Sequence, residues 1–454
     1  MIVKHLYTPG LSVNTYLIFD ESTRKGAVID PTMATRNIIA YASENNVIIT
    51  DIIETHVHAD FVSGAPSLKA ALSGTPIIHC SSMGGKQWIP HYADRSVADG
   101  DEVVIDSLRL RALHTPGHTP EHLVWVAYDD KRTKQMPQLL FSGDLLFVGS
   151  VGRPDLLGKE LEVELSRQLY ASLFEVLSAL PDHLEVYPAH GAGSPCGKEI
   201  GTSAHTTLGY EQRCNKWLQA KPFDQWHKEL MQDAPAIPKY YTRMKRLNIT
   251  GSHASLQTLQ ELSLPETMAL AASHLIVDLR NYDLFAHGHI PGSLNIPYLP
   301  GLPLWAGSIL PHDKPIICVA DSLQMCLKTS ELLQLVGITQ VSAWCDATLW
   351  NPHVHLLEKF KLIEPEDLLK RKDDYFVLDV RSHHEWNAEH LPHAHHIELA
   401  DVPAALKTLP RDQTIAVICR SGNRASIAAS LLAQEGFKKT CNVRGGMTGF
   451  KNHL

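Results

Sequence analysis

The sequence is short of several things that would define a function class. No run approaches the ~18 consecutive apolar residues of a membrane-spanning helix. The first twenty residues, MIVKHLYTPGLSVNTYLIFD, lack the basic segment and long apolar segment of a signal peptide. No long basic run occurs either. With 41 Lys and Arg against 49 Asp and Glu, the formal charge is −8, which makes nucleic acid and anionic membranes poor candidate partners. Cysteine is sparse. Eight residues (Cys80, Cys196, Cys214, Cys318, Cys326, Cys345, Cys419 and Cys441) in 454 do not make a disulfide scaffold. These thiols are therefore expected to be mostly reduced, some of them reactive, in a cytoplasmic protein. Histidine, by contrast, is abundant: 26 residues invite a search for metal ligands. At about 100–200 residues per domain, the length allows two to four domains.

Residues 1–50 read as short strands broken by turns (TYLIFD, KGAVIDP), with helical patterning at TRNIIAYASENN. Next, VIITDIIETHVHAD is an apolar run ending abruptly in polar residues, as when a buried strand delivers ligands into a loop. RLRALHTPGH, QLLFSGDLLFVG and HLEVYPAHGAG repeat that design, and residues 160–180 form an amphipathic helix between two of them. Alternating strands and helices mean a multi-domain α/β architecture.

A different pattern starts near residue 250 and occurs twice. HLIVDLRNYDLFAHGHIPGSLNIPY and, about 100 residues later, YFVLDVRSHHEWNAEHLPHAHHIEL share strand–Asp–x–Arg and His–[Ile/Leu]–Pro, then a second apolar strand and a helix ending in Gly. Asp278 matches Asp379, Arg280 matches Arg381, and His289 matches His390. This is an internal duplication. The expected domains are 1–245, 250–352 and 356–454.

In the second copy, Cys419-Arg-Ser-Gly-Asn-Arg424 lies between the strand TIAVI and the helix ASIAASLLAQEG. A loop entering a helix N-terminus points N–H groups inward at the positive end of the helix dipole, which favours a thiolate. Arg420 and Arg424 add charge, Ser421 and Asn423 complete the cradle, and Gly422 lets the backbone turn around an anion. The alternative is a small buried Cys with a solvated Arg pair. Together with DVRSHHEW and the late RGGM, the pattern resembles a rhodanese domain over residues 355–454. That resemblance implies a parallel-sheet α/β fold and a sulfurtransferase in which Cys419 becomes a persulfide. Phosphatase and arsenate-reductase loops use a similar cradle with a longer Cys-to-Arg interval. Aligned on the same helix, the first copy has Ala320 in place of Cys419 and Met325 in place of Arg424. It reads as an inactive rhodanese-like domain.

In the N-terminal half, Thr55-His-Val-His-Ala-Asp60 sets two imidazoles and a carboxylate at a strand end, and His118, Asp144 and His190 end three later strands. Two neutral imidazoles and one carboxylate with open positions suit ferrous iron and dioxygen. Three ligands plus water equally suit a catalytic zinc. Order and spacing resemble the metallo-β-lactamase fold, an αββα sandwich, over residues 1 to about 240. SGDLLFVGSVGRPD and PAHGAG are most similar to the persulfide dioxygenases of that superfamily, notably forms fused to rhodanese domains. The resemblance implies one Fe(II) per chain held by His56, His118 and Asp144, with His58, Asp60 and His190 supporting it. The superfamily pattern HxHxDH departs here at Phe61, which argues against a dinuclear zinc hydrolase. Cys196, in GAGSPCGKEIG, is by the same resemblance a sulfur-accepting thiol near the iron, a packed loop cysteine being the alternative. Arg153, in GRPD, is a candidate for holding substrate carboxylates, or else a structural ion pair.

These features predict oxidation of a low-molecular-weight persulfide by Fe(II) and O2 to sulfite, with Cys419 carrying sulfane sulfur to form thiosulfate. The alternatives are a zinc thioester hydrolase of the glyoxalase II type with sulfur-sensing rhodanese domains, and a non-catalytic sulfur relay. The carrier thiol and a homo-oligomeric state are left open by the sequence.

Overall fold

The structure, a computed structural model, describes residues 1–232, 234, 236–252 and 258–450. The chain divides into two compact units, Met1–Ala254 with Gln334–Gly337, and Ser255–Leu333 with Ile338–Leu454.

The first unit holds two six-stranded sheets. One runs, in spatial order, Ile2–Thr8, Val13–Phe19, Lys25–Ile29, Ile48–Ile53, Ile77–Ser81, Arg95–Val97. Its first three strands are antiparallel, and its last four are mutually parallel. The other runs Thr206–Thr207, Glu185–Pro188, Leu139–Gly143, Leu123–Asp129, Leu108–His114, Glu102–Ile105. Successive side chains on a strand point to opposite faces, so alternate residues separate into two populations. Tyr16, Ile18, Ile29 and Ile53 meet Leu123, Trp125 and Phe141 between the sheets. Leu17, Phe19 and Val28 instead meet Ile38 and Leu68, from the helices Thr35–Glu44 and Ala65–Ala71. Val124, Val126 and Leu140 face Leu169, Leu173 and Trp226 on the other outer side. Both faces of each sheet are covered, which is why the strands read as near-continuous apolar runs. The result is the αββα sandwich expected from the sequence.

The second unit holds two five-stranded sheets of one topology. The first is ordered Gln260–Leu262, Val341–Asp346, Ile316–Ala320, Leu275–Asp278, Leu294–Asn295. The second is Lys361–Ile363, Thr440–Val443, Thr414–Ile418, Tyr375–Asp379, Ala394–His396. Every strand pair in both is parallel, so each connection must cross over the sheet. In each copy the Asp-x-Arg signature is a buried pair. Arg280 Nε donates to Asp278 at 3.0 Å and its Nη2 to the Gly288 carbonyl at 2.8 Å. Arg381 repeats this with Asp379 at 3.0 Å and the Glu389 carbonyl at 2.6 Å. The duplicated motif is scaffold: it ties the end of the second strand to the end of the following helix. Among the described residues, no helix is long and apolar enough to cross a membrane.

Candidate metal centre and sulfur-transfer loop

The strand Ile48–Ile53 delivers the first ligand loop, and Asp30 pins it. Asp30 Oδ1 accepts the Thr55 N–H at 2.7 Å, and Oδ2 accepts the Thr55 hydroxyl at 2.8 Å. With that hydroxyl proton spent, Thr55 Oγ1 accepts from His56 Nδ1 at 2.9 Å, leaving His56 Nε2 as a lone pair. His118 is fixed in the same sense, its Nδ1 donating to the Arg153 carbonyl at 3.0 Å. Asp144 follows the strand Leu139–Gly143, and its backbone N–H donates to His122 Nε2 at 2.9 Å. Gly143 makes that approach feasible: its φ is +52°, and a β-carbon there would lie 2.5 Å from His122 Nε2.

The three side chains converge. One donor atom each from His56, His118 and Asp144 lies within 4.8 Å of the others, all buried. His118 Nε2 is 3.2 Å and His56 Nε2 3.9 Å from Asp144 Oδ2. A second buried group of the same span joins His58, Asp60 and His190, with His190 Nε2 3.5 Å from Asp144 Oδ1 and 3.4 Å from Asp60 Oδ2. His58 Nε2 is drawn elsewhere, lying 3.2 Å from Asp30 and 3.5 Å from Glu54. The Phe61 ring, fully buried, sits 4.2 Å from the His58 ring. Asn248, on the helix Tyr241–Thr250, braces this turn by donating to the carbonyls of His58 and Phe61 at 2.7 Å each.

The electrostatics call for a cation. Burial, reinforced by neighbouring imidazoles, holds His56 well below the usual histidine value and His118 down at about 3. Burial likewise pushes Asp60 and Asp144 up to about 6. His56 Nε2, His118 Nε2 and both Asp144 oxygens are buried without a hydrogen-bond partner. Polar atoms stranded in this way cost free energy unless something compensates them. Neutral imidazole lone pairs aimed at a carboxylate are what a divalent ion requires. The residues present therefore fit a metal.

Cys196 lies beside the same cluster. Its Sγ groups with Asp144 and His190 within 4.8 Å and stands 3.9 Å from the Tyr241 hydroxyl. Burial, then the nearby carboxylates, push its thiol well up. Arg153 is engaged by Asp155, through Nε at 2.7 Å and Nη2 at 2.6 Å, which is the ion-pair arrangement.

In the second unit, Cys419 follows the strand Thr414–Ile418 and is buried. The Gly422 N–H donates to its Sγ at 3.1 Å, and Gly422 stands at φ +96° immediately before the helix Asn423–Gln434. Arg420 and Ser421 are exposed. Arg424 is not a free charge at the loop: its two Nη atoms bind the Glu385 carboxylate at 2.6 and 2.7 Å. Burial alone would raise Glu385, but the Arg424 guanidinium and the Ser382 hydrogen bonds bring it down to about 2. In the other copy, Ala320 ends the corresponding strand, fully buried, beside buried Cys318 and Cys326.

Comparison with known proteins separates the two halves. Residues 263–344 and 364–453 each match the rhodanese-like domain, and residues 8–190 match the metallo-beta-lactamase superfamily. A solved metallo-beta-lactamase from Staphylococcus aureus subsp. aureus COL is 31 % identical, covers 76 % of this chain and 98 % of its own, and superposes with a TM-score of 0.68. The chain belongs to the metallo-beta-lactamase superfamily. Its metallo-beta-lactamase half is 28 % identical to the mitochondrial persulfide dioxygenase ETHE1 of Bos taurus over 191 residues, 42 % of this chain and 68 % of the relative. It is 30 % identical to the hydroxyacylglutathione hydrolase-like protein of Mus musculus over 224 residues, 49 % of this chain and 70 % of the relative. The chain thus joins a metallo-beta-lactamase domain with persulfide dioxygenase homologues to two rhodanese-like domains.

In the metallo-beta-lactamase half, sequence reasoning named the residues that converge and missed those that aim them. Asp30, Thr55 and His122 orient ligands, yet His122 stands in the same HTPGHTPEH segment as His118 and could have been found there. Asn248 reaches His58 from 190 positions away and leaves no local signal. In the rhodanese-like half the missed residue is Glu385. Its place three positions after Ser382, as a capping box, was legible; its grip on Arg424 was not.

Proposed function

We propose that this chain oxidises a low-molecular-weight persulfide to sulfite, using O2, and passes sulfane sulfur through Cys419 to form thiosulfate. The observation that carries this reading is one chain combining a buried two-imidazole, one-carboxylate group with a rhodanese-type cysteine loop. One ferrous ion, held by His56, His118 and Asp144, would supply dioxygen activation next to the persulfide. The chain does the rest. Thr55 and the Arg153 carbonyl fix both imidazoles in the tautomer with Nε2 as the lone pair, and burial keeps the rings neutral. His122 anchors Asp144, while His58, Asp60 and His190 support the centre. Burial of the whole cluster excludes water from it. In this reading Cys196, which lies beside the centre, serves as a sulfur acceptor. Arg153, bound to Asp155, serves by holding His118 and the Cys196 carbonyl.

At the second site, loop N–H groups and the exposed Arg420 stabilise the Cys419 persulfide anion. Sulfite attacks the outer sulfur, the bond to Cys419 breaks, and the Cys419 thiolate leaves with the electron pair as thiosulfate forms. Carrying both sites on one chain raises the local concentration of one site's product at the other. The domain division 1–245, 250–352 and 356–454 belongs to this reading, as does a cytoplasmic setting for the reduced thiols.

The test is metal content joined to oxygen uptake. The expectation is one iron per chain and oxygen consumption on glutathione persulfide. A second reading, a zinc thioester hydrolase, draws on the His58–Asp60–His190 group and on the hydroxyacylglutathione hydrolase-like relative. Two zinc ions per chain, thioester cleavage and no oxygen uptake would favour it and sink the first.

A further inference from the structure

The copy that lacks the cysteine reaches the loop that has it. Tyr282, at the start of the helix Tyr282–His287, lays its ring on Gly422: a β-carbon there would come within 2.9 Å of Tyr282 Cε1 and 3.0 Å of Cζ. Gly422 is the residue whose N–H donates to Cys419 Sγ. At the ring's hydroxyl, the Gly445 N–H donates to Tyr282 at 3.3 Å. Cys419 itself is only 1 % exposed, while its neighbours Arg420 and Ser421 are exposed. Tyr282 is not alone in joining the copies. Asp283 pairs with Arg444, and Asn295 exchanges hydrogen bonds with Ser426 at 2.6 Å and Ser430 at 3.0 Å.

We propose that the cysteine-less copy roofs the sulfur-transfer loop, with Tyr282 as its specificity-determining residue, admitting a small anionic acceptor such as sulfite to Cys419 and excluding bulky thiols. The inference rests on Cys419 carrying sulfur, as proposed above. The chemistry would be the same for either acceptor. A lone pair on sulfite or on a thiolate forms a bond to the outer sulfur, the bond to Cys419 breaks, and the Cys419 thiolate departs with its electrons. Discrimination therefore comes from exclusion rather than from a different reaction. It answers why a copy without a nucleophile keeps an aromatic ring on this edge: the ring is a wall of its neighbour's site.

The experiment uses the full-length chain loaded with sulfur from thiosulfate, the gain of one sulfur atom on Cys419 being read by mass spectrometry. After donor removal, transfer rates to sulfite and to glutathione are measured for wild type, Tyr282→Ala and Tyr282→Phe. Removing the ring is expected to leave the sulfite rate within about twofold and to raise the glutathione rate roughly tenfold. The Phe variant keeps the ring and the wild-type ratio. An Ala variant with an unchanged sulfite-to-glutathione ratio overturns the proposal, as does a Phe variant that shifts the ratio as far as Ala does. Absence of any sulfur gain in wild type would instead overturn the reading of Cys419 itself.

Discussion

The two rhodanese-like copies share their skeleton and differ in their chemistry, position by position. Each keeps the five-strand order and the buried Asp–Arg pair. The cradle Cys419-Arg-Ser-Gly-Asn-Arg424 faces Ala320-Asp-Ser-Leu-Gln-Met325. The nucleophile becomes a methyl group, the exposed cation becomes the anion Asp321, and the turning glycine becomes Leu323. The supporting pair goes too: Glu385, which binds Arg424, corresponds to Leu284, where Met325 replaces the arginine. Losing the charge and its partner together leaves nothing unpaired. The lesson is that scaffold and site are separable, and that the first copy's remaining contribution lies on its outer edge, at Tyr282.

The largest effect expected from this contrast is on sulfur transfer. Cys419→Ser is expected to lower it by about three orders of magnitude or more, with metal content unchanged. Adding Ala320→Cys to that variant is expected to restore nothing, because Asp321 and Leu323 cannot cradle an anion. Recovery of turnover in the double variant would show the copies to be interchangeable.

Next comes the shared skeleton. Asp278→Ala and Asp379→Ala each leave a buried guanidinium unpaired, so each is expected to cost about 3–5 kcal/mol in denaturant titrations of the full chain. A markedly cheaper loss in the first copy would mean that its scaffold, too, is decaying.

The smallest effect is the acid sensitivity peculiar to the second copy. Glu385 sits at about 2 in the folded chain against an ordinary value of 4.5. Its pair with Arg424 therefore stabilises fully above about 4.5, and the stabilisation is lost as pH falls toward 2. Solvent screening limits it to about 1 kcal/mol. Glu385→Gln should remove that slope from stability measured between pH 5 and pH 2. A corresponding slope assignable to the first copy, which has Leu284 there, would contradict the comparison.

What could be read in advance follows from how the information is stored. Strand-end ligands appear as abrupt switches from apolar to polar residues, so His56, His118, Asp144 and His190 were visible one segment at a time. The duplication was visible as self-similarity, and the Cys419 loop as a strand–loop–helix junction. The partner of Arg424, Glu385, was not legible because it lies 39 positions earlier in the chain. Asn248 and Tyr282 were invisible because each acts on a backbone far away in sequence, and an amide or a phenol carries no mark of what it will touch.

The sequence by itself determined the element order, the duplication, the position of Cys419 in a rhodanese-type loop and the set of candidate metal ligands, because each is a local or periodic property of the chain. Only the tertiary structure decided which imidazole nitrogens face inward, that Phe61 lies against His58, and that Tyr282 of the copy without a cysteine packs on Gly422 of the copy that has one. These are properties of side chains brought within a few ångströms by folding, and no spacing along the chain encodes such distances.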